Sequence, residues 1–219
     1  MPVEDLPAGV GARRDYTAEG QRLLRSLGVD AGKGGHHDLD VIWRHPSSGG
    51  CIFVGNDTAA RGPAATLLAQ GITHIVNATD DLANYLEGAP ELSYLRFNVA
   101  DWQTAGDRQA EHLSSRDVQL AFVQRLFDFV DQATLSGGSV LVHCLAGAHR
   151  AGTTGALLLM HKAGHSVGEA TRAAKAARPI INPIGGLPKL LSMYEQARDE
   201  QRTARSQQES ATAEGLERS

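Results

Sequence analysis

One stretch of this chain concentrates residues capable of chemistry: His143-Cys144-Leu145-Ala146-Gly147-Ala148-His149-Arg150. It follows the apolar run SVLVH (139–143) and precedes AGTTGALLLMHKAG (151–164). The first reads as a strand with no polar side until its end, and the second as a helix stopped by Gly164. A loop between a buried strand and a helix N-terminus aims several backbone N–H groups at one spot, where the helix dipole adds partial positive charge. Such a nest of amides binds anions such as phosphate. Gly147 lets the loop curl, and the planar fork of Arg150 can hold two phosphate oxygens. Cys144 begins this loop. A thiol in such a field is expected to ionise well below its usual pKa near 8.5, and a thiolate beside bound phosphate can attack phosphorus in line. A lone buried cysteine is ordinarily a small hydrophobe, and a lone histidine a satisfied core residue. The joint pattern His-Cys-x-x-Gly-x-x-Arg, however, arises by chance in well under ~0.1% of chains of this length.

The rest of the chain must hold that loop. It has 219 residues, 42% hydrophobic and 21% charged, with a net charge of −4. This suits one globular domain with tails and excludes wholesale disorder. No apolar run reaches the roughly 18 residues of a membrane span, and the first residues contain no apolar core of a secretory signal. Mild acidity gives no chain-wide case for nucleic acid or an anionic membrane as partner. The two cysteines, Cys51 and Cys144, cannot form a disulfide scaffold. That points to a reducing compartment, the cytoplasm or the nucleus. Cys51 reads as a buried strand residue, with redox pairing to Cys144 the less favoured role. His36 and His37 read as solvated loop residues, since no thiol or acid stands at metal-ligand spacing.

Strand and helix patterns alternate. Strands are expected at 51–55, 74–79, 94–100 and 139–143, and helices at about 17–27, 58–70, 114–134, 151–163, 166–178 and 187–198. In the longest helix Val118, Phe122, Leu126, Phe129, Val130 and Ala133 form the expected inward stripe, and Ser114 with Asp117 reads as a capping box. Ser166 with Glu169 reads as another, and Pro188 is tolerated in a first helical turn. The expected fold is α/β: a central, mostly parallel sheet of four or five strands with helices on both faces. Residues 1–49 read as a partly ordered N-terminal extension, 50–196 as the catalytic domain, and 197–219 as a polar tail, frayed and then disordered.

VLVHCLAGAHRAG resembles the catalytic signature of the cysteine-dependent protein phosphatases, in their dual-specificity branch. RPIINPIGGLPKLLSMYE (178–195) is similar to that family's downstream segment, and IFVGN, GITHIVNAT and YLRFNVAD fall in the right order. The resemblance implies a protein phosphatase acting on phosphotyrosine and phosphoserine/threonine, with no metal or organic cofactor. It implies Cys144 as nucleophile, Arg150 as phosphate clamp, and Leu145, Ala146, Gly147, Ala148 and His149 as suppliers of loop amides. His143 would orient the loop and lower the thiol pKa by hydrogen bonding. Asp101 matches the general acid, with Asp107 and Glu111 as alternatives in a stretch 101–113 about a dozen residues longer than in compact relatives. Trp102 flanks that stretch and is a candidate substrate contact, and Asn77 is expected to brace a loop.

Three departures from the pattern matter. Ala151 stands where the family usually has Ser or Thr, whose hydroxyl helps the thiolate leave; Thr153 and Thr154 are the nearest replacements. The acid loop is longer. Ala148 and His149 replace the lysines of phosphoinositide-specific relatives, which argues against a lipid substrate; His149 either adds charge when protonated or is an inconsequential exposed residue. Two other functions stay open at this stage: a phosphate-binding module with little turnover, and an enzyme on a non-protein phosphate. Oligomeric state is not readable.

Overall fold

A computed structural model describes residues 14–26, 37–101 and 116–217. Five strands form one sheet: β1 (Leu39–Arg44), β2 (Cys51–Gly55), β3 (Ile72–Asn77), β4 (Ser93–Arg96) and β5 (Ser139–His143), in the order β1-β2-β5-β3-β4. β2, β5, β3 and β4 run parallel, and β1 pairs antiparallel with β2. The mostly parallel α/β sheet expected from the sequence is therefore present. β5 sits at its centre, and every residue of it is buried. Its Val-Leu-Val run needs no polar side because helices cover both faces.

The helices are α1 (Tyr16–Ser26), α2 (Asp57–Arg61), α3 (Ala64–Leu68), α4 (Arg116–Leu135), α5 (Arg150–Ala163), α6 (Val167–Ala177) and α7 (Leu187–Glu217). One face of the sheet packs on α4, α5 and α7 through Val54, Val76, Val142, Leu126, Val130, Leu157 and Leu190, all essentially without solvent contact. The opposite face is a smaller cluster of Phe53, Ala60, Leu67, Ile75 and Leu141. Alternation along the strands sends successive side chains to the two clusters.

Several expectations need correction. The helix expected over 58–70 is two short helices. Gly62 is extended (ψ 164°) and Pro63 caps α3, because proline lacks an N–H and drives its predecessor out of helical geometry. In α4 the inward stripe includes Val123 and Phe127, both buried, while Phe122 and Phe129 are only partly covered. Val118 lies where the structure describes the backbone alone, and Ser114 falls outside the described residues. β4 stops at Arg96. There Asn98 turns the chain, its Oδ1 accepting from the Ala100 N–H at 3.3 Å.

At the N-terminal side the sheet begins at Leu39, not near residue 50, so β1 belongs to the domain. At the C-terminal side α7 continues to Glu217 rather than fraying near 197. Residues 200–210 are exposed on every side, as a helix without an apolar stripe must be. The Ser166–Glu169 capping box is formed.

Candidate active site

Cys144 lies at the carboxyl end of β5 and Arg150 opens α5, so 144–150 is the turn between the central strand and a helix. Open α/β sheets place ligands at this edge. Both residues are 3% exposed. No described residue has positive φ except glycines, and Gly147, at φ +67°, is one. A Cβ there would stand 2.6 Å from the Gly55 carbonyl oxygen, so both conformation and space demand glycine.

The loop is held from outside by its ends. The Asp57 N–H donates to the Leu145 carbonyl at 3.1 Å, and the Asn182 N–H to the Ala148 carbonyl at 3.1 Å. A trans peptide plane carries C=O and N–H on opposite sides. Binding these carbonyls outward therefore turns the N–H groups of Ala146 and His149 the other way, into the bowl. His149 is buried, at 6% exposure. Its Nδ1 donates to the Asn182 carbonyl at 2.6 Å. It is not the exposed residue weighed from the sequence; it is a strut between the loop and the segment after α6.

The guanidinium of Arg150 is held at the mouth. Its Nη1 donates to Asp81 Oδ1 at 2.9 Å and its Nη2 to Thr17 Oγ1 at 2.9 Å. The Thr17 hydroxyl in turn donates to Asp81 Oδ2. These groups line a cleft of about 260 Å³ with Arg14, Asp80 and Ala100. Burial opposes ionisation of Asp81, but the Thr17 hydrogen bond and the Arg150 charge outweigh it and hold the carboxyl below its ordinary range. α1 comes over the loop at Gly20, where a Cβ would be 3.5 Å from the Leu145 side chain.

Asn77 fixes the loop that carries Asp81, as a bracing residue should. Buried at the end of β3, its amide donates to the Leu82 carbonyl at 3.0 Å and accepts from the Thr79 hydroxyl at 2.8 Å. Arg96 adds a bond to the Thr79 carbonyl at 2.8 Å.

His143 departs from its implied role. It is fully buried, and neither ring nitrogen has a hydrogen-bond partner among the described residues. The bond by which it was to lower the thiol pKa is not made. Burial first, then the nearby charges of Arg96 and Arg150, push its own pKa down to about 3, so the ring is neutral at physiological pH.

Asp101 is exposed at the end of the turn after β4 and accepts from the Asn98 amide at 2.7 Å. Its neighbour Ala100 lines the cleft beside Arg150. Asp107, Glu111 and Trp102 lie outside the described residues. Ala151 is fully buried. The hydroxyls of Thr153 and Thr154 are spent on the carbonyls of His149 (2.7 Å) and Arg150 (3.0 Å), so neither replaces the hydroxyl missing at 151. Cys51 is buried at the opposite end of the neighbouring strand, its N–H bonded to Ser139 Oγ at 3.0 Å. Parallel pairing of Ile52 with Val140 and Gly55 with His143 separates Cys51 from Cys144 by the length of β2, roughly 15 Å. That rules out a direct disulfide between them.

Sequence reasoning missed Thr17, Asp81, Asp40 and Arg178, whose contributions are all tertiary. His37 is exposed, its Nδ1 2.9 Å from Asp40 Oδ1, and His36 falls outside the described residues. Among the described residues no group of His, Cys, Asp and Glu is arranged to hold a metal, and no helix is long and apolar enough to cross a membrane.

Comparison with known proteins supports the same reading. The family model for the dual specificity phosphatase catalytic domain matches residues 52–197. The chain is 29% identical over 150 residues to the Drosophila melanogaster dual specificity protein phosphatase Mpk3, aligning 68% of this chain with 33% of that protein. It therefore spans well under half of that relative's length. It is 32% identical over 145 residues to Mus musculus dual specificity phosphatase 28, covering 66% of this chain and 80% of the relative. The crystal structure of human DUSP28 superposes with a TM-score of 0.57 at 25% identity, over 77% of this chain and 99% of that one. Family model, sequence relatives and structural likeness agree, and the chain belongs to the dual specificity phosphatase catalytic-domain family.

Proposed function

We propose that this protein hydrolyses phosphate monoesters of phosphotyrosine and phosphoserine/threonine in proteins, through a phosphocysteine intermediate. The observation that carries the reading is the loop itself. Cys144 ends the central strand, outward-bound carbonyls turn amides into the bowl, and Arg150 stands at its rim beside an open cleft. The family relationship favours a phosphatase over a low-turnover binding module.

In the first step the phosphate oxygens take up the loop amides and the Arg150 fork. Cys144 Sγ forms a bond to phosphorus as the ester P–O bond breaks, and a carboxylic acid protonates the departing oxygen. Asp101, next to the cleft, is that acid in this reading. In the second step water attacks phosphorus, its proton passes to the Asp101 carboxylate, and the S–P bond breaks to return thiolate and inorganic phosphate. No hydroxyl at residue 151 assists that departure, so phosphocysteine hydrolysis is the slow step. Two free, buried cysteines support a reducing compartment as the setting.

Steady-state hydrolysis of an aryl phosphate and a phosphopeptide tests the proposal, using wild type, Cys144→Ser and Asp101→Asn in EDTA. Wild type turns over, the serine variant is inactive, and the asparagine variant loses about 10²-fold on phosphopeptide. Wild-type activity no greater than that of Cys144→Ser on both substrates overturns the enzyme.

A further inference from the structure

The two middle carbonyls of the phosphate loop are bound by a single side chain. Arg178 Nε donates to the Gly147 carbonyl at 2.9 Å and Nη2 to the Ala146 carbonyl at 3.3 Å. Nη1 donates to the His37 carbonyl at 2.9 Å and to Asp40 Oδ2 at 2.6 Å. Four of the five guanidinium N–H groups are thereby used. The residue is 1% exposed, and a cation that deep requires both a counter-charge and full hydrogen bonding. Asp40 supplies the counter-charge from β1, a strand that precedes the residues matched to the catalytic-domain family. Arg178 is the C-cap of α6 at φ −139°, ψ 96°. Pro179 keeps it out of helical geometry, and the planar fork then fits the two neighbouring carbonyls.

Peptide planarity gives these contacts a functional meaning. Drawing the Ala146 and Gly147 carbonyls backward points the N–H groups of Gly147 and Ala148 forward into the bowl. We infer that Arg178, set by Asp40, is a positioning residue for phosphate recognition: it fixes the orientation of the two central loop amides, and β1 is thereby a working part of the site. The inference rests on the phosphate-binding reading of the loop. Arg178 touches no substrate; it acts through the backbone. A lysine there, with one point of donation, cannot hold both carbonyls and Asp40 together.

The test is Asp40→Asn in the full chain. It keeps the side-chain shape and removes the charge at a partly exposed position. Binding of inorganic phosphate and of vanadate is measured by titration calorimetry, next to KM and kcat on aryl phosphate and a thermal melt. Phosphate and vanadate affinity are expected to fall about five- to tenfold and KM to rise in parallel, at a temperature where both proteins are folded, with Asp40→Glu recovering most of the affinity. Unchanged phosphate and vanadate affinity in Asp40→Asn, whatever the melt shows, overturns the inference and leaves a plain structural brace. If Asp40→Asn does not yield folded protein, Arg178→Lys is measured in the same way with the same criteria. A wild type that binds phosphate but lacks Cys144-dependent turnover defeats the phosphatase reading alone. A wild type that binds neither anion defeats both.

Discussion

Asp81 and Arg150 meet at the mouth of the phosphate loop, Oδ1 to Nη1 at 2.9 Å, with the carboxylate 41% exposed and the guanidinium 4%. The family signature supplies the arginine, but its partner in this chain is an internal carboxylate on a neighbouring loop. A phosphate dianion approaching Arg150 meets negative charge already placed there, and the two compete for the same fork. Asp81→Asn removes the rival charge. It is expected to lower KM for aryl phosphate about two- to fivefold with little change in kcat, more at low ionic strength than at high. Initial rates at two salt concentrations check it; a fall in kcat at constant KM would show that the carboxylate instead aids the chemical step.

Two groups around the loop, His143 and Asp81, contribute to the acid side of the stability profile. His143 is held neutral in the fold, its pKa pushed down to about 3 by burial and by Arg96 and Arg150. The unfolded chain binds a proton there near pH 6.5. Stability contributed by the neutral ring is therefore complete above that pH and lost progressively as pH falls from about 6.5 toward 3. Asp81, held below the ordinary carboxylate range, adds a loss that starts only near pH 4. Melting temperatures at pH 7.5 and 5.5 are expected to drop for wild type and to drop less for His143→Asn, if that variant folds. Equal drops would remove His143 as the source.

Gly147→Ala tests the loop backbone. The methyl group would meet the Gly55 carbonyl at 2.6 Å and Arg178 Nη2 at 2.7 Å, on a residue at φ +67°. Something must shift, and what shifts are the groups that aim the amides. Turnover is expected to fall at least 10²-fold and the protein to lose about 1–3 kcal/mol of stability. Urea denaturation beside the activity assay separates the two effects.

Ala151→Ser restores a hydroxyl at the start of α5. The i−4 carbonyl facing such a serine belongs to Gly147, which already accepts from Arg178 Nε at 2.9 Å. In the proposed mechanism the new hydroxyl supplies the help to thiolate departure that the family resemblance implies at this position. Stopped-flow mixing with aryl phosphate is expected to show a rapid burst and slow steady state for wild type. A steady state about three- to tenfold faster is expected for Ala151→Ser. A wild type without a burst would place the slow step elsewhere.

What the sequence revealed and what it hid follow a physical line. The strand–loop–helix around Cys144 was legible because its chemistry is local: an apolar run, a glycine and an arginine within one turn. The sheet's parallel core was legible for the same reason. β1 was not, since Leu39–Arg44 is an edge strand of mixed burial whose register shifts between Val41 and Trp43, which blurs the alternation. The clamp on Arg150 was hidden because Thr17 lies 133 residues away, and the Asp40–Arg178 pair because it spans 138. No spacing rule encodes such pairs. The role assigned to His143 failed because a motif names a residue type without fixing its hydrogen bonds.

The bowl has no means of assembling itself. Its carbonyls are held by Asp57, Arg178 and Asn182, partners that the chain delivers from before the second parallel strand to after the sixth helix. Closing those distances costs loop entropy that local contacts do not repay, so the shape of the loop depends on the rest of the fold being in place. Oxyanion binding and global stability are consequently linked. Phosphate bound to this loop as proposed is expected to raise the melting temperature with its concentration, so that the thermal profile reads how firmly the loop is held.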